Sequence, residues 1–173
     1  MSTHQDRLDG LIKSLTSEDM LGAVIRLHLY IEYELNVFIA ARASAKIFDT
    51  RKRKYSQRID KAMALGLLPD LEKPLRKIGR IRNDFAHNLD HILSIDDVDS
   101  LFQSFGPKLQ AVAENAYAVT RTMPNCTHYP ETLQEMNGAS KMQFYVMQVW
   151  ALLARFNNPT FDPHESIPEF RAL

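Results

Sequence analysis

The chain predicts an all-α fold, a helical bundle of about five or six helices. Apolar residues recur at spacings of three and four over long stretches, and no stretch alternates with a period of two. The six glycines and eight prolines also leave three long segments without proline. At 173 residues, 45% hydrophobic and 24% charged, the chain has the size and composition of one globular domain with a single core. Residues 1–157 are expected to form that domain and residues 158–173 an extended tail, in which Pro159, Pro163 and Pro168 fall.

The first helix is expected from about Ser17 to about Ala45. Thr16 or Ser17 can cap it, and Glu18 and Asp19 suit the positive end of its dipole. Its apolar stripe is Leu21, Val24, Ile25, His28, Ile31, Leu35, Phe38 and Ile39. A basic stretch follows, with Lys46, Arg51, Lys52, Arg53, Lys54, Arg58 and Lys61. A second helix is expected over Tyr55 to Leu65, with Gly66 at its C′ position. Pro69 then suits a turn or a helix start. The third helix runs from about Leu71 into the segment around Arg82. Its apolar face is Leu75, Ile78, Ile81, Phe85 and Leu89, and its other face carries Lys73, Arg76, Lys77 and Arg80.

Asp96 and Asp97 are expected to cap a helix over about Val98 to Phe105, and Gly106-Pro107 to stop it and start another over about Lys108 to Met123. Pro124 and Pro130 make the next segment a loop with at most a short helix. The final helix, Ser140 to Phe156, is apolar nearly all round, as expected of an element central to the core or buried at a subunit contact. Its methionines also suit a partner surface.

The formal net charge is zero, so whole-protein charge points to no polyanionic partner. The lone cysteine, Cys126, has no internal disulfide partner. The first residues lack an apolar signal-peptide core, and charges break every apolar stretch well short of the roughly 20 residues a membrane span needs. The expectation is a cytoplasmic protein without a membrane partner.

The residues that carry chemistry are expected in Arg82-Asn83-Asp84-Phe85-Ala86-His87. Arginine is permanently charged and forks onto phosphate oxygens, and histidine moves protons near neutral pH. Together they can cleave RNA without a metal. Histidine takes the proton of a ribose 2′-OH, which attacks the adjacent phosphorus, while arginine stabilises charge on the phosphate oxygens. On a regular helix Arg82 and His87 lie roughly 140° apart, so they do not share a face. Asn83 and Asp84, four and three residues before His87, do share one with it. A helix that begins or bends within the segment, a long arginine that swings round, or a two-fold dimer along the helix would each bring the pair together. The bland alternative is an arginine in a surface ion pair and a histidine in a buried polar network.

The segment Ile81 to His87, IRNDFAH, resembles the Arg-x4-6-His motif of the HEPN superfamily, helical proteins that include many RNA-cleaving toxins and defence proteins. The longer stretch Lys61 to His87, KAMALGLLPDLEKPLRKIGRIRNDFAH, resembles the mannitol operon repressor (MltR) family, with its glycine-containing turn and its helix leading into Arg-x4-His. HLYIEYELN, His28 to Asn36, also fits these families. The resemblance covers Thr16 to Met123, and the final helix, about 140–156, is a further candidate part of it. It implies a homodimer, Arg82 and His87 as the catalytic pair, and Asn83 as the polar residue that follows the arginine. The site set expected on these grounds is Arg82, His87, Asn83 and Asp84 for catalysis, with Arg51, Lys52, Arg53, Lys54, Arg58 and Arg80 on RNA. Glu32 or Glu34 is a candidate to orient the pair. One departure is instructive. In the toxin branch paired with a nucleotidyltransferase antitoxin a tyrosine stands two positions after the histidine, where this chain has Leu89.

The expected activity uses no cofactor and no metal. A rival metal set, Asp84, His87 and His91 on one helix face with Cys126 or His128 from a loop, lacks the glutamate of a His-Glu-x-x-His motif. The runner-up function is a non-enzymatic MltR-like regulator of transcription. No helix-turn-helix with a convincing recognition helix is visible, so such a regulator would act through a protein partner.

Overall fold

The computed structural model describes residues 20–43, 49–88, 91–126 and 128–158. Among them the chain forms six α-helices and no strand. These are α1 (Met20–Arg42), α2 (Tyr55–Ala64), α3 (Glu72–His87), α4 (Ile95–Ser104), α5 (Gly106–Arg121) and α6 (Gly138–Phe156). Short 3-10 turns occupy Thr50–Lys52, Pro69–Leu71, Pro124–Cys126 and Leu133–Glu135. The caps expected at Thr16 or Ser17, together with Lys46, Leu89 and the proline-containing tail, lie outside the described residues.

Among the described residues the α1–α6 pair is the most extensive packing, and α3 contacts α2 and α4 while also touching α1 and α6. The apolar stripe of α1 is buried at Val24, Ile31, Leu35, Phe38 and Ile39, and Leu27 joins it. The all-round apolar character of α6 has a core explanation. Met142, Tyr145, Val146, Val149, Trp150, Leu152 and Leu153 are all buried within this one chain. No helix among the described residues is long and apolar enough to cross a membrane.

Local chemistry sets the helix ends. After α2, Gly66 takes φ +88°, the left-handed conformation expected at C′. Its N–H donates to the Met63 carbonyl and that of Leu67 to the Ala62 carbonyl, both at 3.0 Å, the bond pattern of a Schellman ending. α4 corrects one expectation: Asp96 and Asp97 do not stand ahead of the helix. Its N-cap is Ser94, whose Oγ accepts from the Asp97 N–H at 3.1 Å, while the Asp97 carboxylate accepts from the Ser94 N–H at 3.2 Å. A serine with an acidic residue three positions on satisfies two otherwise unpaired donors reciprocally, so the helix starts at Ile95.

Ser94→Ala is therefore expected to cost about 1 kcal/mol in urea unfolding. Asp96→Ala, which removes only an exposed first-turn charge, should cost no more than about half of that. Equal costs would deny Ser94 the capping role.

Candidate functional site

α3 carries the chemistry, and its two faces follow from 3.6-residue periodicity. Leu75, Ile78, Ile81 and Phe85 are buried. On the opposite side Arg76, Arg80, Asn83 and His87 fall within roughly 60° of one another and make a polar stripe along the helix. Arg82 stands at the edge of the buried face, on the side of Gly79. The helix is unbroken from Glu72 to His87, and the chain becomes extended only at Asn88 (φ −134°, ψ 103°). A start or bend within the segment is thus excluded as a way of bringing Arg82 and His87 together.

A cleft of about 490 Å³ opens between α2 and α3. Lys54, Tyr55, Ser56 and Ile59 line one side, and Arg76, Gly79, Arg80, Arg82 and Asn83 the other. Four of these residues are cationic and none is a carboxylate. The Arg76 charge is already taken, because its guanidinium donates to Glu72 at 2.9 and 3.0 Å and also pairs with Asp60. Lys54 and Arg80 are exposed, with no ion pair among the described residues. Arg82 is half-buried, and its Nε is shielded from solvent without a hydrogen-bond partner among the described residues. An unpaired buried donor costs about 1–3 kcal/mol, and no described residue offsets that cost at Arg82 Nε.

Beneath the cleft lies a buried polar cluster. His28, 2% exposed, stacks at a tilt on Tyr55 with ring centroids 4.3 Å apart. Its Nδ1 lies 3.6 Å from the Glu32 carboxylate, which also binds the Arg58 guanidinium. The Tyr55 hydroxyl donates to the Leu75 carbonyl at 3.2 Å. Gly79 makes room for that ring, since a Cβ there would come within 2.7 Å of Tyr55 Cε1. Burial first, then the Glu32 charge, pushes the Tyr55 phenol far above its ordinary range, so it remains a donor at any working pH. Burial, reinforced by the Arg82 and Arg58 charges, lowers His28 from 6.5 to about 4. Arg58 occupies the Glu32 carboxylate, so that carboxylate does little to hold a proton on His28.

The expected site residues separate into three groups. Arg80, Arg82 and Asn83 share the cleft. His87 and Asp84 are exposed and lie outside its lining, although His87 continues the Arg80–Asn83 stripe one turn further on. Lys52, Arg53 and Lys54 are exposed on the approach to α2, and Arg51 belongs to the turn just before them. Arg58 departs from expectation. It is 8% exposed and paired with Glu32, so it is a structural cation and does not face a solvent-borne phosphate.

Of the two candidate glutamates only Glu32 reaches this region. Glu34 is fully buried and accepts from Asn157 Nδ2 at 2.7 Å, on the α6 side. Among the described residues no group of three His, Cys, Asp or Glu side chains could hold a metal ion. His91 instead packs edge-on against Phe85 and lies 3.6 Å from the Asp97 carboxylate. Sequence reasoning missed Tyr55 and Gly79 as parts of the site and placed His28 only in an apolar stripe. The available signal was that histidine itself, a polar residue at a core position. No family model matches this chain, and neither a curated protein nor a solved structure matches it.

Two outcomes follow from the cluster. His28 has a lower pKa folded than unfolded, so between pH 6.5 and 4 the unfolded chain binds more protons and stability rises with pH. Its contribution, about 3 kcal/mol at most, is complete above pH 6.5 and is lost as pH falls toward 4. Urea unfolding of wild type and His28→Gln should therefore converge on acidification, and parallel profiles would refute the buried neutral histidine. Gly79→Ala should destabilise by about 1–3 kcal/mol through collision with the Tyr55 ring. Pairing it with Tyr55→Leu should recover part of that loss in the same assay.

Proposed function

We propose that the chain is a HEPN-type, metal-independent endoribonuclease that works as a cytoplasmic homodimer on single-stranded RNA. The observation that carries this reading is the Arg82 guanidinium on a cleft whose lining has four cations and no carboxylate. Such a cleft suits a phosphate oxygen, which a guanidinium binds by charge-assisted hydrogen bonds. Arg82 receives the charge that builds on the non-bridging oxygens, and the Asn83 amide donates to the same group. His87 removes the 2′-OH proton, the 2′ oxygen attacks phosphorus, and the bond to the 5′ oxygen breaks. The products are a 2′,3′-cyclic phosphate and a 5′-hydroxyl, the latter taking its proton from His87 of a second copy. Asp84, three residues before His87 on the same helix, is the residue that orients the imidazole in this reading. DNA lacks the 2′-OH and is spared.

A second reading rests on His87 lying outside the cleft lining. Here the cleft binds an anion without cleaving it, and the protein is an MltR-like regulator acting through a protein partner.

Incubation of wild type and His87→Ala with a mixed single-stranded RNA pool in EDTA separates the two. The nuclease should leave 2′,3′-cyclic phosphate ends, and the variant should be slower by about 10²–10⁴ while still binding RNA. Binding without cleavage by folded wild type would sink the nuclease and favour the regulator.

A further inference from the structure

The α2–α3 cleft extends beyond Arg82, away from His87. Along α3 the residues after Arg82 and Asn83 in that direction are Arg80 and then Arg76, and Lys54 faces them from the start of α2. Arg76 is neutralised by Glu72 and Asp60. Lys54 and Arg80 have no ion pair among the described residues and stand on opposite walls of one cleft.

A third source of positive potential lies between them. Lys54 is the N-cap of α2, and no side chain caps that helix end. A lysine side chain has no acceptor to offer. Gln57 accepts from the Lys54 backbone N–H at 3.0 Å, which satisfies the residue before the helix and not the first-turn donors. Tyr55 and Ser56, the first two residues of the helix, line the cleft, so the positive end of the α2 dipole borders it.

Arg80 and His87 are seven residues apart on one stripe of α3, a rise of roughly 10 Å. That is too far for one phosphate to touch both ends of the stripe.

We propose that Lys54, Arg80 and the N-terminus of α2 form a second phosphate subsite, which holds the phosphodiester next to the one bound at Arg82. This rests on the RNA reading above and deepens it. The substrate is single-stranded RNA engaged through at least two consecutive phosphates, and a single linkage fills only half of the site. The neutralised Arg76 ends the charged track, so a third phosphate gains nothing in that direction.

The test is binding of 2′-O-methyl oligonucleotides, which lack the attacking hydroxyl, to the full chain, followed by NMR. The probes are a dinucleotide with one linkage, a trinucleotide with two, and trinucleotides in which one or the other linkage is an uncharged methylphosphonate. In wild type the trinucleotide should bind more tightly than the dinucleotide, with a salt slope steeper by about 0.7, the increment for one more phosphate on a single strand. Neutralising one linkage should remove that gain. Lys54→Ala/Arg80→Ala changes two exposed side chains, so the fold is kept, and this variant should bind the dinucleotide, the trinucleotide and the neutralised trinucleotides alike.

A trinucleotide advantage that survives in the double variant overturns the subsite and leaves the RNA reading standing. Failure of every oligonucleotide to bind folded wild type overturns the RNA reading and the subsite together.

Discussion

The closeness of α2 to α3 depends on the seating of the Tyr55 ring against the bare backbone of Gly79. The ring fills the space that a Cβ would need, its hydroxyl is tied to the Leu75 carbonyl, and its other side meets His28 of α1. Three helices thereby converge on one aromatic side chain. The same contact sets the depth of the cleft, because Tyr55 and Gly79 are both part of its wall. A bulkier residue at position 79 would push α2 outward and separate Lys54 from the α3 arginines.

The polar cluster below Tyr55 shows how the chain tolerates charge in its core. Arg58 and Glu32 neutralise each other at the margin of the buried region, which keeps the ion pair from being an uncompensated charge. His28, closest to the interior, is kept neutral first by burial and then by the charges of two guanidinium groups. Arg82 lies at the border between this cluster and solvent. Its charge is felt by both His28 and Tyr55, and its Nε has no acceptor among the described residues.

Most of the helical architecture was legible in the sequence, because spacing of apolar residues is a local signal. The stripes of α1 and α3 and the burial of α6 follow from it, and the Gly66 ending follows from the left-handed backbone that glycine allows. The start of α4 departs from expectation for a local reason: Ser94 and Asp97 satisfy each other's backbone donors, so the helix begins ahead of the two aspartates. The site was legible only in part. Arg82, Asn83 and Arg80 announced themselves as polar residues on an amphipathic helix. Arg58 looked like its basic neighbours, and nothing local reveals that it turns inward to a glutamate 26 positions earlier. Likewise the use of Gly79 is invisible until the partner ring from position 55 is in place. Pairings between distant positions are set by packing, which periodicity does not encode.

The pairing of α1 with α6 has a consequence for the order in which the domain can form. Asn157, just past the end of α6, donates to both the carbonyl and the carboxylate of Glu34, 123 positions earlier. During synthesis α1 leaves the ribosome before the other described helices, and α6, the partner with which it packs most, leaves after them. Until α6 emerges, the buried face of α1 lacks the helix with which it packs most, although α2 and α3 already contact it. Contacts of such high sequence separation also slow the refolding search. The interior of this domain is therefore complete only once α6 has been made.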